Sequence, residues 1–325
     1  MKEEKKIIKI RPIFNYIGGK SWLREELRNQ FNFMHISRNM SNINTYIEPF
    51  CGGLGAFINV YDILLAIGIK KVLLNDINSH LIDFYNSIIF NKKKLLTLYM
   101  EIENSFSLTI PERAKKLNKT KDKIEIKALL ANSERFFRKI KSDFNEYNNK
   151  EISEEDKIIK SAELLFLQNH CYNGVYRENG KGEYNTPFNW DHKVYKIENI
   201  EKKLEELLYV LSLFEEVKFT NDTFKNIEYS ENDLIYCDPP YINEKSGENK
   251  YNQSGFNKED QILLIEKISP HQFIYSNHKN ELLIETFEKH TQFLIKEVKR
   301  KNIMSSRNES RAEDKTEILV IKFLK

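Results

Sequence analysis

The sequence predicts an α/β fold in which a Rossmann-like sheet with helices on both faces is interrupted by a mainly helical insert. Near both ends of the chain, short apolar runs that end at or near a carboxylate alternate with helical stretches. The middle of the chain instead carries long Lys/Glu-rich helical patterns and one Gly/Asn-rich island. We therefore expect one discontinuous α/β domain, residues 1–91 and 215–325, and an inserted domain, residues 92–214.

The first half of the predicted sheet is a β-α-β unit. Its strands are the apolar runs 46–50 and 72–77, and the helical pattern 56–68 connects them. In the second half, an amphipathic helix is expected over 259–268, among strand-like runs at 233–238, 272–277, 292–299 and 316–324. The insert is expected to contain helices at 92–104, 124–140, 154–169 and 198–214, with the island of turn residues at 171–189.

Composition excludes several classes of protein. The 325 residues are 40% hydrophobic, and 51 Lys and Arg against 48 Asp and Glu leave a net charge of +3. A disordered chain has fewer apolar residues and a larger charge of one sign, and a nucleic-acid-binding surface would need a local excess of basic residues. No apolar run approaches the roughly 18 residues that cross a bilayer, so we expect a cytoplasmic protein. The cysteines are far apart and the histidines show no ligand spacing, which predicts neither a disulfide nor a metal site.

A glycine-rich turn follows the first predicted strand. The segment from Glu48 to Phe57 reads Glu-Pro-Phe-Cys-Gly-Gly-Leu-Gly-Ala-Phe, and glycines at such a turn allow the backbone to approach a ligand closely. Asp76 lies 24 positions after Gly52, where an acidic residue can accept hydrogen bonds from ribose hydroxyls. A dinucleotide site would need a third glycine where Ile58 stands, so the pattern favours a nucleoside cofactor without a pyrophosphate. Taken alone, the cluster also fits a turn that only packs a helix against a strand.

A second motif, Asp238-Pro239-Pro240-Tyr241, follows the apolar run 234–237. The residue before a proline favours extended geometry, and ligands in open α/β folds bind at the carboxyl edge of the sheet. The Asp238 carboxylate and the Pro239 carbonyl can each accept one hydrogen of an exocyclic amine, while Tyr241 can stack on a planar ring. The motif thus predicts a site for a planar ring that bears an amino group. The structural alternative is a Pro-Pro turn that caps a core strand.

With these motifs the chain resembles the Dam-type, group alpha DNA adenine-N6 methyltransferases, over nearly its whole length and in the order of that family. The matched segments are Asn15–Lys20 (opening motif), Glu48–Phe57 (AdoMet-binding motif), Asp76 (ribose-binding acid), 172–188 (target-reading hairpin), Asp238–Tyr241 (catalytic motif), Ser276–His278 and 299–311 (basic loop). The family often carries Lys and then Trp in its opening motif, where this chain has Asn15 and Tyr16.

The resemblance implies three sets of site residues. The catalytic residues are Asp238, Pro239 and Tyr241. The residues implied to bind S-adenosyl-L-methionine (AdoMet), with no metal, are Tyr16, Gly18, Gly19, Lys20, Glu48, Phe50, Gly52, Gly53, Gly55, Asp76, Asp222 and Asp238. Those implied to contact double-stranded DNA are Tyr172, Asn173, Arg177, Asn185, Pro187, Arg300, Lys301, Ser306 and Arg307.

The two DNA-binding segments differ in what they are expected to contact. The Asn-Gly pairs at 173–174 and 179–180 favour turns, and a two-stranded ribbon fits the major groove, where an arginine can bind the O6/N7 edge of guanine. By the resemblance, Arg177 is that arginine and Tyr172 is a wedge in the duplex. Residues 296–311 hold six Lys or Arg against two Glu, which favours phosphate contacts. An ordinary exposed hairpin and a solvated charged face are the structural alternatives.

The reaction implied by the resemblance is methyl transfer from AdoMet to N6 of an adenine that is flipped out of duplex DNA. Hydrogen bonds to Asp238 and the Pro239 carbonyl should stabilise charge that develops on the amine. The expected target is GATC or another site that begins with GA, in a Dam-like role or beside a restriction endonuclease that the chain need not contact. The chain is expected to act as a monomer. Two alternatives remain: methylation of RNA adenine, and DNA binding by a catalytically silent regulator.

Overall fold

The computed structural model describes residues 6–16, 23–36, 42–117, 122–148, 150–190, 197–241, 256–290, 292–299 and 316–323. The chain groups into two compact units. Unit 1 comprises Met1–Ile7, Lys20–Ile77 and Val210–Lys325, and unit 2 comprises Ile8–Gly19 and Asn78–Tyr209. The functional domain boundaries expected from the sequence, at 91/92 and 214/215, stay a prediction.

The strands are β1 (Asn15–Tyr16), β2 (Thr45–Glu48), β3 (Lys71–Asn75), β4 (Val175–Tyr176), β5 (Glu216–Thr220), β6 (Asp233–Cys237), β7 (Gln272–His278), β8 (Leu294–Lys299) and β9 (Thr316–Lys322). The helices are α1 (Arg24–Ile36), α2 (Gly55–Ile67), α3 (Ser79–Ser107), α4 (Glu112–Lys116), α5 (Lys123–Leu129), α6 (Ala131–Glu146), α7 (Glu154–His170), α8 (Ile197–Ser212), α9 (Lys258–Ile268) and α10 (Glu281–His290).

Unit 1 is built on a seven-stranded sheet with the strand order β5-β3-β2-β6-β7-β9-β8. The first five strands pair in parallel, and β9 runs antiparallel to both β7 and β8. Helices flank this sheet, so the predicted α/β fold is confirmed. From β2 the chain continues to β3 on one side, whereas β6 pairs with β2 on the other. The strand order therefore reverses between β2 and β6, and ligands bind open α/β sheets outside the carboxyl ends of strands at such a point.

The central strands β6 and β7 are buried almost throughout because both faces of the sheet are covered. Every residue of β6 is buried, and β7 is buried at every position except His278. At the end of α2, Gly68 adopts a left-handed conformation (φ 102°) and its N–H bonds to the carbonyl oxygens of Leu64 and Leu65. Glycine is favoured at this φ, and the turn returns the chain to β3.

Unit 2 is mainly helical. Its longest helix, α3, begins at Ser79, where the Asn78 side chain accepts hydrogen bonds from the first turn, and it is kinked at Asn91 (φ −138°, ψ 25°). Strands β1 and β4 form a separate parallel pair in this unit. The buried hydrogen-bonded pair of His170 and Glu103 (Nε2 to Oε2 2.9 Å) is flanked by the ring of Phe106.

Three elements of unit 1 were not predicted from the sequence: α1, β5 and α10. In unit 2, α3 begins 13 residues before the helix expected at 92. In the described part of the chain, no helix is both long and apolar enough to cross a bilayer.

Candidate active site

Four acidic residues of the predicted site lie at the carboxyl edge of the parallel strands in unit 1. Glu48 is the last residue of β2, Asp76 and Asp238 directly follow β3 and β6, and Asp222 comes two residues after β5. Parallel strands end at one edge of a sheet, so strand order collects residues that are far apart in the sequence.

Glu48 is only 1% exposed, and its Oε1 accepts a hydrogen bond of 2.6 Å from the Tyr46 hydroxyl. Burial, aided by the negative charge of Asp238, raises the pKa of Glu48 from 4.5 to about 8. Hydrogen bonds from Tyr46 and from the backbone N–H of Phe57, in the first turn of α2, oppose this shift. The edge of the sheet therefore contains two interacting carboxyl groups, and burial favours the neutral form of Glu48.

The glycine-rich turn between β2 and α2 contacts Asp76 directly. The backbone N–H of Gly52 donates to Asp76 Oδ2 at 2.8 Å. Gly52 (φ 46°) and Leu54 (φ 62°) are both left-handed, which makes the turn sharp enough to bring the backbone against this carboxylate. Gly53 is buried in the same turn. At Gly55, the first residue of α2, a Cβ would meet no atom within 4 Å, so the helix begins at open space.

Asn75 is a member of the site that sequence reasoning missed. It is fully buried, and its Nδ2 donates to the carbonyl oxygens of Pro49 (3.0 Å) and Asp222 (2.9 Å). Its Oδ1 accepts from the Thr220 hydroxyl (2.9 Å) and from the backbone N–H of Asp222 (3.1 Å). This one amide therefore joins the segments that follow β2, β3 and β5.

The predicted cofactor residues Phe50 and Asp222 occupy different surroundings. Phe50 packs against the rings of Phe224 and Phe256, with centroids 5.7 and 5.9 Å away. Asp222 is exposed, and its Oδ1 accepts from the Thr223 backbone N–H (2.7 Å) and from Asn226 Nδ2 (2.9 Å).

The Asp238–Tyr241 motif is held by side chains of the two strands beyond β6. The Ser276 hydroxyl, on β7, donates to Asp238 Oδ1 at 2.9 Å and lies 3.0 Å from the hydroxyl of Tyr236. The Tyr241 hydroxyl donates to both carboxylate oxygens of Glu317, on β9, at 3.0 and 3.1 Å. Burial and the negative charges of Asp238 and Glu317 hold the pKa of Tyr241 far above its ordinary value, so its hydroxyl stays a donor. Pro239, between the two, is buried.

Unit 2 contains the predicted hairpin, which is an antiparallel ribbon held by few bridges. Cys171 bridges Phe188, and Glu178 bridges Tyr184 near the turn at 179–182. Tyr172 is 58% exposed, and Asn173, next to it, is left-handed (φ 58°). Such a ribbon presents side chains to solvent on a backbone with little regular strand pairing.

The predicted reading residue Arg177 contacts a second predicted DNA-binding residue. Arg177 is exposed, and its Nε donates to Asn185 Oδ1 at 2.7 Å from the opposite arm of the hairpin. The backbone N–H of Asn185 also donates to the Arg177 carbonyl at 3.0 Å. Pro187 is exposed two residues further along the same arm. The hairpin thus brings Arg177 and Asn185 into contact, and Pro187 lies on the same arm as Asn185.

Two asparagines of α6 and its end support the second arm of the hairpin. The Asn145 side chain donates to the Tyr184 carbonyl (3.1 Å) and accepts from the Tyr184 N–H (2.9 Å), as a neighbouring strand would. Asn148 Nδ2 donates to the Gly182 carbonyl at 3.0 Å. These side chains bond to backbone groups of Tyr184 and Gly182 in an arm that has little regular strand pairing.

Seven predicted site residues lie outside the described residues: Gly18, Gly19, Lys20, Arg300, Lys301, Ser306 and Arg307. For Tyr16 the structure describes the backbone, which pairs with Tyr176 of β4. Within the described ranges, no group of three or more His, Cys, Asp or Glu side chains is arranged to hold a metal ion, and the expectation of a metal-free site stays a prediction.

Comparison with known proteins gives a family match over most of the chain. The model of the D12 class N6 adenine-specific DNA methyltransferases matches residues 16–304. Type II methyltransferase M.MjaIII of Methanocaldococcus jannaschii is 27% identical over 329 aligned residues, which cover 97% of this chain and 100% of that protein. The DNA adenine methylase of Serratia marcescens is 26% identical, over 89% of this chain and 91% of its own length. Type II methyltransferase M.FokI of Planomicrobium okeanokoites is also 26% identical, over 97% of this chain and 43% of its own length.

Proposed function

We propose that this chain, which belongs to the D12 class N6 adenine-specific DNA methyltransferases, acts on an adenine that is flipped out of duplex DNA. Membership of the family establishes the class of reaction, methylation of DNA adenine at N6. The flipped base, the target sequence and the roles of individual residues are the proposal. The observation that carries it is the position of Asp238 and Tyr241 after β6, where Asp238 is hydrogen-bonded to β7 and Tyr241 to β9.

AdoMet, when bound, supplies an electrophilic methyl group on a positively charged sulfur. We assign its binding to the carboxyl edge of unit 1, because the residues there fit a cationic nucleoside. The negative charge of Asp238 raises the pKa of the Glu48 carboxyl. At the first residue of α2, Gly55, a Cβ would have no atom within 4 Å, so there is room for a ligand beside the start of this helix. Asp76, held by the Gly52 N–H, is proposed to accept hydrogen bonds from the ribose hydroxyls.

The proposed chemistry of Asp238 and Pro239 is hydrogen-bond acceptance from the adenine N6 amine. The amine is a weak nucleophile because its lone pair is delocalised into the ring. As its bond to the methyl carbon forms and the methyl–sulfur bond breaks, positive charge would grow on the amine nitrogen, which would then release one of its hydrogens to solvent as a proton. A fixed carboxylate stabilises that charge, and the Ser276 hydroxyl holds one of its oxygens in place. The Pro239 carbonyl would accept the second hydrogen, so both amine hydrogens point at protein acceptors.

The hairpin of unit 2 is proposed to read the duplex. Its exposed Tyr172 offers an aromatic wedge for the space that a flipped base leaves, and flipping costs a few kcal/mol. Arg177 keeps its two terminal amino groups for the O6/N7 edge of a guanine, since Asn185 takes its Nε. Stacking of the flipped adenine on Tyr241 would recover about 1–3 kcal/mol.

The proposed target is GATC or a site that begins with GA, on the strength of the hairpin sequence 172–188. The relatives include proteins named as DNA adenine methylases and as type II methyltransferases. We accordingly propose either a solitary Dam-like role or a role beside a restriction endonuclease.

The test is transfer of labelled methyl from AdoMet to two duplexes that differ only in having GATC or a scrambled site. We expect label in the GATC duplex alone, recovered as N6-methyladenine. Asp238→Ala should bind AdoMet in calorimetry but lose kcat by about 100-fold or more, as expected when a charge-stabilising contact is removed. Label in genomic DNA but in neither duplex would reject GATC and leave the reaction, and label in RNA alone would reject duplex DNA as the substrate.

A further inference from the structure

Tyr241 of the catalytic motif is held by contacts of its hydroxyl and of its ring. The hydroxyl donates to both oxygens of Glu317, a residue only 6% exposed. The ring of His278 lies against the Tyr241 ring, with centroids 4.2 Å apart and planes 52° apart. We refer to Glu317 and His278 together as the Tyr241 anchor.

The two residues of the Tyr241 anchor are brought together by sheet register. His278 ends β7, and its antiparallel partner on β9 is Glu317. Residues two apart on a strand point to the same face, so Ser276 and His278 face the catalytic motif from the same side. Ser276 contacts Asp238 and His278 contacts Tyr241. Two residues on the same face of β7 therefore contact the first and the last residue of the catalytic motif.

We infer that Glu317 is a positioning residue, which fixes the Tyr241 ring before the target base arrives. A phenylalanine would stack on a base as well as a tyrosine does, so stacking alone does not require the hydroxyl. The hydroxyl gives the ring a hydrogen bond to a buried charged acceptor, and such bonds are stronger than those between neutral groups. A side chain that is ordered in advance loses less conformational freedom when it binds its ligand. The inference rests on the proposed role of Tyr241 as the stacking platform for adenine.

The test is a double-mutant cycle in which kcat/KM is measured with the unmethylated duplex that the wild type methylates. Tyr241→Phe and Glu317→Ala should each lower kcat/KM about 10-fold, the size expected for a hydrogen bond to a charged group. The double variant should also lie about 10-fold below the wild type, because both changes remove the same bond. Glu317→Gln keeps an acceptor oxygen for the hydroxyl and should stay within about 3-fold of the wild type.

Calorimetry and thermal unfolding separate positioning from loss of structure. All variants should bind AdoMet with unchanged affinity and stay folded at the assay temperature, although Tyr241→Phe should unfold at a lower temperature than the wild type because the buried Glu317 carboxylate loses a donor. Glu288→Ala, which removes an exposed carboxylate from α10, is the matched control and should retain wild-type kinetics. Independent losses that multiply to about 100-fold in the double variant, or full activity of Tyr241→Phe, would overturn the inference while the methylation itself stands. A wild-type chain without adenine methylation would instead overturn the proposed function and the inference together.

Discussion

Asn75, at the end of β3, uses all four hydrogen-bonding positions of a fully buried amide. Two of its partners are backbone groups of Asp222, 147 positions away in the sequence. A buried carbonyl that loses its donor remains unsolvated, and each such loss costs about 1–3 kcal/mol. The side chain of Asn75 thus links the loop that carries Pro49 and the glycine-rich turn to the segment after β5.

The variant Asn75→Asp tests this dependence. The replacement keeps the shape of the side chain but removes both donors and adds a charge next to Asp76. We expect the free energy of unfolding to fall by about 1–3 kcal/mol, from the buried Pro49 carbonyl left without its donor, and AdoMet to bind more weakly. Chemical denaturation and calorimetry measure the two effects. Asn44→Ala, an exposed asparagine just before β2, should change neither, and wild-type stability of Asn75→Asp would contradict the assignment.

The positions of Glu48, Asp76 and Asp238 could be predicted because each follows an apolar run that reads as a strand. Asn75, Ser276 and Glu317 could not be assigned their contacts, because those contacts depend on which strands are neighbours. The Tyr241–Glu317 bond joins residues 76 positions apart in the sequence. Glu317 lies on β9, which is antiparallel to β7 and is separated by β7 from the strand before Tyr241. A local pattern identifies a residue that binds a ligand more readily than a residue that holds it.

At the scale of elements, the central strands β6 and β7 were predicted from apolar runs and are buried, whereas β8 was predicted from such a run but has exposed residues. β6 is buried at every residue, whereas β5, which was missed, buries only Phe219. β5 lies at the edge of the sheet, so one side of it has no strand neighbour, and its alternation of Glu, Val, Lys, Phe and Thr gives no apolar run. A helix was expected over 92–104 from its Lys/Glu-rich pattern, whereas α3 begins at Ser79 and is kinked at Asn91, next to the expected start.

The hairpin is the element on which the proposed specificity depends. In Arg177→Ala the guanine would lose its arginine partner, and a bidentate contact of this kind discriminates by about 1–3 kcal/mol. We expect methyl transfer to persist while the preference for the target over a duplex changed at the guanine falls by about 10-fold or more. Competition between the two duplexes in one reaction measures this ratio.

Lys181→Ala is the matched control for Arg177→Ala, because it removes another exposed basic side chain from the turn of the same hairpin. It should lower affinity for both duplexes alike, as expected for a charge without base contacts. Full selectivity in Arg177→Ala would show that a different residue reads the guanine. Loss of AdoMet binding in that variant would show that the substitution disturbs more than the hairpin.

At the scale of the whole molecule, each unit contains a buried glutamate with a strongly raised pKa. Burial raises the pKa of Glu48 in unit 1 and of Glu163 in unit 2 from 4.5 to about 8. Between these values the folded chain binds more protons than the unfolded chain, so the free energy of unfolding falls as the pH rises. Burial and the charge of Lys160 lower the pKa of His80 from 6.5 to about 3. His80 therefore contributes the opposite slope, but only below pH 6.5.

Between pH 6.5 and 8 the two glutamates thus act without His80, and the AdoMet-free chain should become less stable as the pH rises. Each carboxyl contributes at most about 1.4 kcal/mol per pH unit. Scanning calorimetry at several pH values measures the slope. Glu48→Gln and Glu163→Gln carry a neutral side chain of similar shape at every pH, so each should reduce the slope by the amount that its carboxyl contributes. Glu288→Gln, which replaces an exposed carboxyl, should leave the slope unchanged. A slope in the double variant that is unchanged from the wild type would mean that other groups cause it and that both carboxyls are already ionised in the folded chain, and Glu48 would then present a negative charge to AdoMet before binding.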